Sequence, residues 1–189
     1  MQKTYEIIAE HFSSTRNNVW GKVEEYMISL PKNSFIADIG CGNGKNMFRK
    51  DCTYIGMDFC INFTKICNER KKEVIQANNL NIPFKSNTFD YCISIAVIHH
   101  LSTVEKRLMA IDELVRIVKS NGTIFISVWA LEQPDNSRRK FTTNENMVEW
   151  NNYGKKYLRY YHVFSKGELE DLASKYNIIN SFYEHGNWI

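Results

Sequence analysis

The stretch ADIGCGNGK, residues 37 to 45, constrains the fold more than any other part of the chain. An apolar run, SFIADIG, ends in Asp38 and passes through Gly40, Gly42 and Gly44 into a segment that reads as a helix. Glycines in such a turn let the backbone bend sharply and bring main-chain N–H groups close to a ligand. Alternation follows: TYIGMDF as strand, Ile61 to Lys71 as helix, and EVIQA and FDYCISIAV as strands. Then come Val104 to Val118 as helix and GTIFISVWAL as strand after an Asn121-Gly122 turn. That pattern predicts an α/β, Rossmann-like fold with a mostly parallel central sheet flanked by helices. Ser102 to Glu105, S-T-V-E, has the form of a capping box for the Val104 helix.

Upstream, Val19, Val23, Tyr26, Met27 and Leu30 recur at helical spacing until Pro31. Residues 1–31 therefore read as a helical lid, broken by the polar SSTRNN, on a core of residues 32–189. The polar, Asn-rich stretch from Glu132 to Lys156 reads as a loop, and residues of about 132–160 as a substrate segment. A helix near Gly167 to Tyr176, a strand NIINSFYE and a short NWI tail end the chain. With 189 residues, 43% of them hydrophobic, the chain can bury one core, and no repeat suggests a second domain.

The acids choose among ligands for the glycine turn. A dinucleotide fingerprint calls for glycine at position 45, which is Lys45, and would set a pyrophosphate beside Asp38, where like charges repel. A cofactor with a cationic amino group suits that acid better, and S-adenosylmethionine carries one. Asp58 ends the next strand 20 residues after Asp38, where a carboxylate can accept both ribose hydroxyls of an adenosine. Asn78 and Asn79, with Leu80, follow the third strand where an adenine amino group is read, and Ala96 and Val97 end the fourth. Cys41 in the turn and Phe59 beside Asp58 complete the expected cofactor set. The competing reading is an ordinary strand-to-helix turn with solvated strand-end acids.

Composition excludes more than it selects. The net charge of +3 permits an anionic substrate without requiring one. Five cysteines, none spaced as CxxC, indicate neither a disulfide framework nor a zinc site, and a reducing compartment follows, cytoplasmic with the nucleus also open. The first residues, MQKTYEIIAEHF, lack the apolar core of a signal peptide, and no run approaches membrane-spanning length, so no membrane association is expected.

Several segments outside the cofactor loops narrow this further: EHFSSTRNNVW, GMDF, NIPFKSNTFDYCISIAVIHHLST, WALEQ, SRRK, RYYHVFSKGEL and the terminal NWI. With ADIGCGNGK they make the chain resemble, over nearly its whole length, class I S-adenosylmethionine-dependent methyltransferases. Within that class it resembles the eukaryotic tRNA methyltransferases that esterify 5-carboxymethyluridine at the wobble position. Two positions depart from the pattern: Asn78 stands where an acid is usual, and Leu101 where an aromatic residue is common. The resemblance implies a carboxylate nucleophile, already ionised at neutral pH, so positioning and exclusion of water are needed and a general base is not.

Guanidinium and imidazole groups can grip one carboxylate oxygen and leave the other free. The candidate catalytic residues are Arg16, His99, His100, Arg138, Arg139, Tyr161 and His162, with Trp20, Trp129, Glu132 and Tyr160 as substrate contacts. Each has a plainer reading: Arg16 as a loop charge, SRRK as a solvated loop, RYYHVF as an alternating core strand, and the histidines as helix-cap partners. The resemblance also implies two partners. One is a tRNA anticodon stem-loop. The other is a small zinc-binding activator subunit that would add a strand at the sheet edge near Val74 and Ile75, unless Lys71, Lys72 and Glu73 protect that edge in a monomer. Two other functions remain: a methyltransferase for a small carboxylic acid or lipid precursor, and a scaffold that keeps the fold without the cofactor.

Overall fold

The computed structural model describes residues 2–189. Two helices, α1 (Gln2–Ser14) and α2 (Gly21–Ser29), precede a sheet whose strands are β1 (Phe35–Ile39), β2 (Thr53–Asp58), β3 (Val74–Gln76), β4 (Phe89–Ile95) and β5 (Val118–Trp129). Helices α3 (Ile61–Glu69) and α4 (Val104–Ile117) lie between strands. A hairpin of β6 (Glu145–Asn152) and β7 (Lys155–His162), a short α5 (Glu168–Leu172), and the strands β8 (Tyr183–Glu184) and β9 (Asn187–Trp188) complete the chain. The large sheet runs β3-β2-β1-β4-β5-β9-β8, with its first five strands parallel and β9 antiparallel to β5.

Both faces of this sheet are covered, and strand parity decides which residues go where. Ile36 of β1, Ile93 of β4 and Phe125 of β5 pack with Val23 and Met27 of α2 and with Leu30 just after it. Their neighbours Ala37, Ile39 and Cys92 turn the other way, against Leu114 and Ile117 of α4. Helix α1 lies on α3 through Ala9, Cys60 and Phe63. The carboxylate of Glu6 accepts the N–H groups of Ile61 and Asn62 at 2.9 and 3.1 Å, and so caps the amino end of α3.

Five local expectations are corrected. No helix follows Gly44; the chain runs through consecutive turns, Gly44 N–H to Cys41 O and Met47 N–H to Gly44 O. Side chains satisfy that segment in place of a helical ladder. Lys72 Nζ donates to Met47 O, and Arg49 pairs with Asp51 while donating to Met27 O and Leu30 O at the end of α2. The cap of α4 is Thr103, one residue after the expected Ser102, with its hydroxyl accepting Lys106 N–H. Asn121-Gly122 is a bulge inside β5, since the pairing jumps from Phe89–Val118 to Tyr91–Thr123. Residues 145–156, expected as loop, belong to the β6–β7 hairpin: Val148 and Trp150 are buried between exposed Met147, Glu149 and Asn151, a period of two hidden by polar residues. Near the carboxyl end only Tyr183–Glu184 of NIINSFYE is strand, and the tail supplies β9.

Candidate functional site

Ligands of an open parallel sheet sit beyond the carboxyl ends of its strands, and there the protein has a cavity of about 700 Å³. One side is built by the glycine turn and the strand ends. Gly40, Cys41, Gly42, Lys45 and Asn46 line it, with Asp58 and Phe59 after β2, Asn78, Asn79 and Leu80 after β3, and Ala96 and Val97 after β4. Gly40 has φ of +80°, and a Cβ there would lie 2.3 Å from the Val97 side chain, so no other residue fits. Ala96 holds φ of +59°, a strained value for a residue with a side chain, at the cavity wall. Gly44 does not reach the wall; it shapes the turn behind it.

Asp38 lies behind this wall, fully buried, with neither carboxylate oxygen hydrogen-bonded. Burial, reinforced by Asp58, pushes it up to about 7, while Lys45 and Asn46 partly offset this. Asp58 is better held: Oδ2 accepts Gly42 N–H at 2.8 Å and Oδ1 accepts Cys60 N–H at 2.9 Å. Burial still raises it to about 6. An orphaned buried carboxylate beside a glycine cradle fits a cationic amino acid end, and the anchored Asp58 retains lone pairs for hydroxyls. These residues therefore fit S-adenosylmethionine. Asn78 turns its side-chain oxygen back onto Leu80 N–H at 2.9 Å, so the amide that replaces the usual acid is tied into its own loop.

The rest of the wall comes from α1 and the segment after it, the turn after β4, the end of β5 with the loop that follows, and β7. Tyr5, Phe12, Arg16, Trp20, His99, His100, Trp129, Arg139, Arg159, Tyr160 and Tyr161 all line it. The two histidines differ. His100 is committed on both ring nitrogens, Nδ1 with Tyr160 O and Nε2 with the Tyr5 hydroxyl, each at 2.9 Å. His99 accepts Trp129 N–H on Nδ1 at 3.1 Å, which leaves the proton on Nε2, and that buried atom has no partner. Burial lowers both, His100 to about 4 and His99 well below its ordinary value, so both are neutral near pH 7. Tyr161 stacks on Trp129 with centroids 4.4 Å apart, and the Arg139 guanidinium lies 4.7 Å over Trp129. Arg16 stacks on Phe12 and Trp150.

Three residues expected on the substrate side are not brought to the cavity. His162 is clamped between Glu145 at 2.7 Å and Glu168 at 2.5 Å, joining the hairpin to α5. Glu132 accepts Lys166 N–H and Trp188 Nε1–H, fixing the last hairpin. Arg138 is exposed on the loop, while its neighbour Arg139 points inward. Sequence reasoning missed Arg159, the largest side chain in the fully buried set. The only available signal was its place at alternate spacing with Tyr161 in RYYHVF.

The fit makes one pH dependence testable. S-adenosylmethionine should bind more tightly as pH rises from 6 toward 7.5, by up to about tenfold per pH unit while Asp38 is still losing its proton. Asp38→Asn should bind weakly and rise less with pH, keeping only the part due to Asp58 at about 6; calorimetry at several pH values checks this, and a flat wild-type profile contradicts it.

A sheet of this order, with a strand-end acid, a glycine turn and a second acid after the next strand, places the chain among the class I S-adenosylmethionine-dependent methyltransferases. The family model described as "Methyltransferase domain" matches residues 37–126. The tRNA (carboxymethyluridine(34)-5-O)-methyltransferase of Schizosaccharomyces pombe is 37% identical, over 100% of this chain and 93% of its own. The enzyme of the same name from Xenopus tropicalis, alkbh8, is 34% identical over 100% of this chain but only 40% of its own length. An Arabidopsis thaliana relative of that name is 47% identical over 72% of this chain and 34% of its own. The chain belongs to the tRNA (carboxymethyluridine(34)-5-O)-methyltransferase family and spans well under half of the frog and plant members. Among solved structures, a Thermotoga maritima S-adenosylmethionine-dependent methyltransferase superposes with a TM-score of 0.68 at 18% identity, covering 98% of this chain and 87% of that one. A Haloferax volcanii methyltransferase in complex with the Trm112 methyltransferase activator gives 0.59 at 16%, covering 68% and 61%.

Proposed function

We propose that the protein methylates the carboxylate of 5-carboxymethyluridine at the tRNA wobble position, forming the methyl ester. One observation carries this reading: three arginines border the cavity, and among the described residues none of them has a carboxylate partner. Arg16, Arg139 and Arg159 border it close enough together that the charges of Arg159 and Arg16 reinforce the lowering of Arg139 by burial, while Asp58 lines the same cavity and Asp38 is buried behind its glycine turn. Three guanidinium groups without a carboxylate partner draw an anion into the cavity that also holds the cofactor-side acids. When bound, S-adenosylmethionine supplies a methyl group on a positively charged sulfur. The new bond joins a carboxylate oxygen to that methyl carbon, and the broken bond leaves its electron pair on a neutral thioether. No proton moves, which agrees with histidines that stay neutral.

In this reading His99 Nε2–H is the imidazole donor that meets the carboxylate, while His100 holds Tyr5 and the Tyr160 main chain in place. Trp129 and Tyr161 offer a stacked aromatic wall for a base turned out of its strand. Arg16, on the segment between α1 and α2, closes over the bound carboxylate. An activator subunit of the Trm112 kind would pair with the open edge of β3 near Val74 and Ile75, through the outward main-chain groups of Val74 and Gln76. The five free cysteines suit a reducing compartment, cytoplasmic or nuclear.

The deciding experiment follows ester formation by the full chain, co-expressed with an activator subunit, on tRNA with and without wobble carboxymethyl groups. Methylation of only the carboxymethylated tRNA is expected; equal methylation of both overturns the substrate. Arg16→Ala should leave cofactor affinity unchanged and lower turnover about 10- to 100-fold, the scale of one charge-assisted contact. Loss of cofactor binding in that variant would contradict its assignment.

A further inference from the structure

Arg159 has an arrangement that a folded protein ordinarily avoids. Its side chain, on β7, is 2% exposed, and among the described residues no carboxylate pairs with it. Nη1 donates to the hydroxyls of Tyr161 at 2.6 Å and Tyr5 at 3.5 Å. Nε and Nη2 are buried with no acceptor. The rings of Trp150 and Tyr161 face the guanidinium at 4.9 and 5.1 Å. A buried cation without an anion is strongly disfavoured, and two unpaired donors add to that. Ring faces attract the charge, but they accept neither proton. The residue borders the cavity.

We infer that Arg159 is the residue that selects a charged C5 substituent on the uridine, admitting a carboxylate and rejecting its neutral analogues. This rests on the reading of the cavity given above and goes beyond it. Nε and Nη2 are sealed under the Trp150 and Tyr161 rings, so a carboxylate reaches them by displacing a ring; it then occupies both as a two-bonded fork and supplies the missing negative charge. A carboxamide of the same shape supplies no charge and turns an N–H₂ toward the donors. The methyl ester is likewise neutral and has lost one acceptor oxygen's charge. One residue would thus exclude carbamoylmethyluridine as a substrate and weaken the hold on product once the ester has formed. Tyr5, whose hydroxyl lies against Nη1, carries this contact to α1.

The test is binding of three anticodon stem-loop oligonucleotides, bearing carboxymethyl-, carbamoylmethyl- or methoxycarbonylmethyluridine, to the full chain with its activator. S-adenosylhomocysteine is present so that no transfer occurs. The wild type should prefer the carboxymethyl oligonucleotide about 10- to 100-fold over both neutral ones, as expected when charged hydrogen bonds are lost. Arg159→Met should bind all three alike. Arg159→Lys, which keeps the charge without the fork, should retain only part of the preference. S-adenosylhomocysteine affinity should be unchanged in both variants, and Arg159→Met should melt no lower than the wild type, since it removes an unpaired buried charge. Full preference retained by either variant overturns the inference, as does loss of S-adenosylhomocysteine binding together with preference. If the wild type esterifies the carboxymethyl oligonucleotide while the variants keep their selectivity, only the role of Arg159 fails. If the wild type neither esterifies nor prefers it, the proposed function fails first.

Discussion

Asp58→Ala should weaken S-adenosylmethionine binding by about 100-fold or more, measured by calorimetry on the purified chain. The carboxylate does two things at once. Its oxygens accept the N–H groups of Gly42 and Cys60, which fixes the glycine turn against the start of α3, and their remaining lone pairs are available to ribose hydroxyls. Charged hydrogen bonds of this kind contribute about 1.5–3 kcal/mol each, so losing two exceeds a hundredfold. Asp58→Asn should be nearly as damaging, because its N–H₂ must face one of those amide donors. Binding within tenfold of the wild type in both variants would show that the turn recognises the cofactor without this acid.

Gln76→Pro should abolish the complex with an activator subunit while leaving cofactor affinity intact. On β3 the inward ladder is visible at Gly56 N–H to Glu73 O and Ala77 N–H to Asp58 O. Odd-numbered residues therefore face β2, and the main-chain groups of Val74 and Gln76 face the open edge. Proline at 76 removes an outward donor and no inward one. Gln76→Ala is the control: it removes the side-chain bond to Phe59 O but keeps the outward N–H, so its complex should survive. Co-purification after co-expression reads the outcome. A stable Gln76→Pro complex would mean that the partner docks elsewhere or by side chains alone.

The parallel sheet was legible because its strands are apolar runs bounded by glycine, asparagine and acids, and the edge position of β3 followed from the winding of the first half. The turn after Gly44 was not legible. Its helix is replaced by side-chain contacts from Arg49 and Lys72, whose partners are distant in sequence. The β6–β7 hairpin was hidden by composition: Asn and Glu residues dominate its outer face, and only Val148 and Trp150 carry the inward period. At the site, acids and histidines announce themselves by type, yet type cannot show that His162 is turned away onto Glu145 and Glu168. Arg159 was overlooked for the opposite reason. Arginines are ordinarily exposed, and nothing in RYYHVF marks one whose charge is sealed among rings.

The two raised carboxylates have a consequence for the lifetime of the protein. Asp38 and Asp58, at about 7 and about 6, bind protons more readily folded than unfolded, so they erode stability as pH rises through that range. The lowered histidines act oppositely: their contribution is complete above about 6.5 and lost on acidification toward 4. Near neutrality the histidine contribution is saturated, and the two buried acids leave the ligand-free chain weaker than its core would allow. A ligand that binds only the folded form raises stability in proportion to the logarithm of its concentration over its dissociation constant. Scarcity of methyl donor would thus reach the enzyme twice, by slowing turnover and by shifting more of the chain toward unfolding and proteolysis.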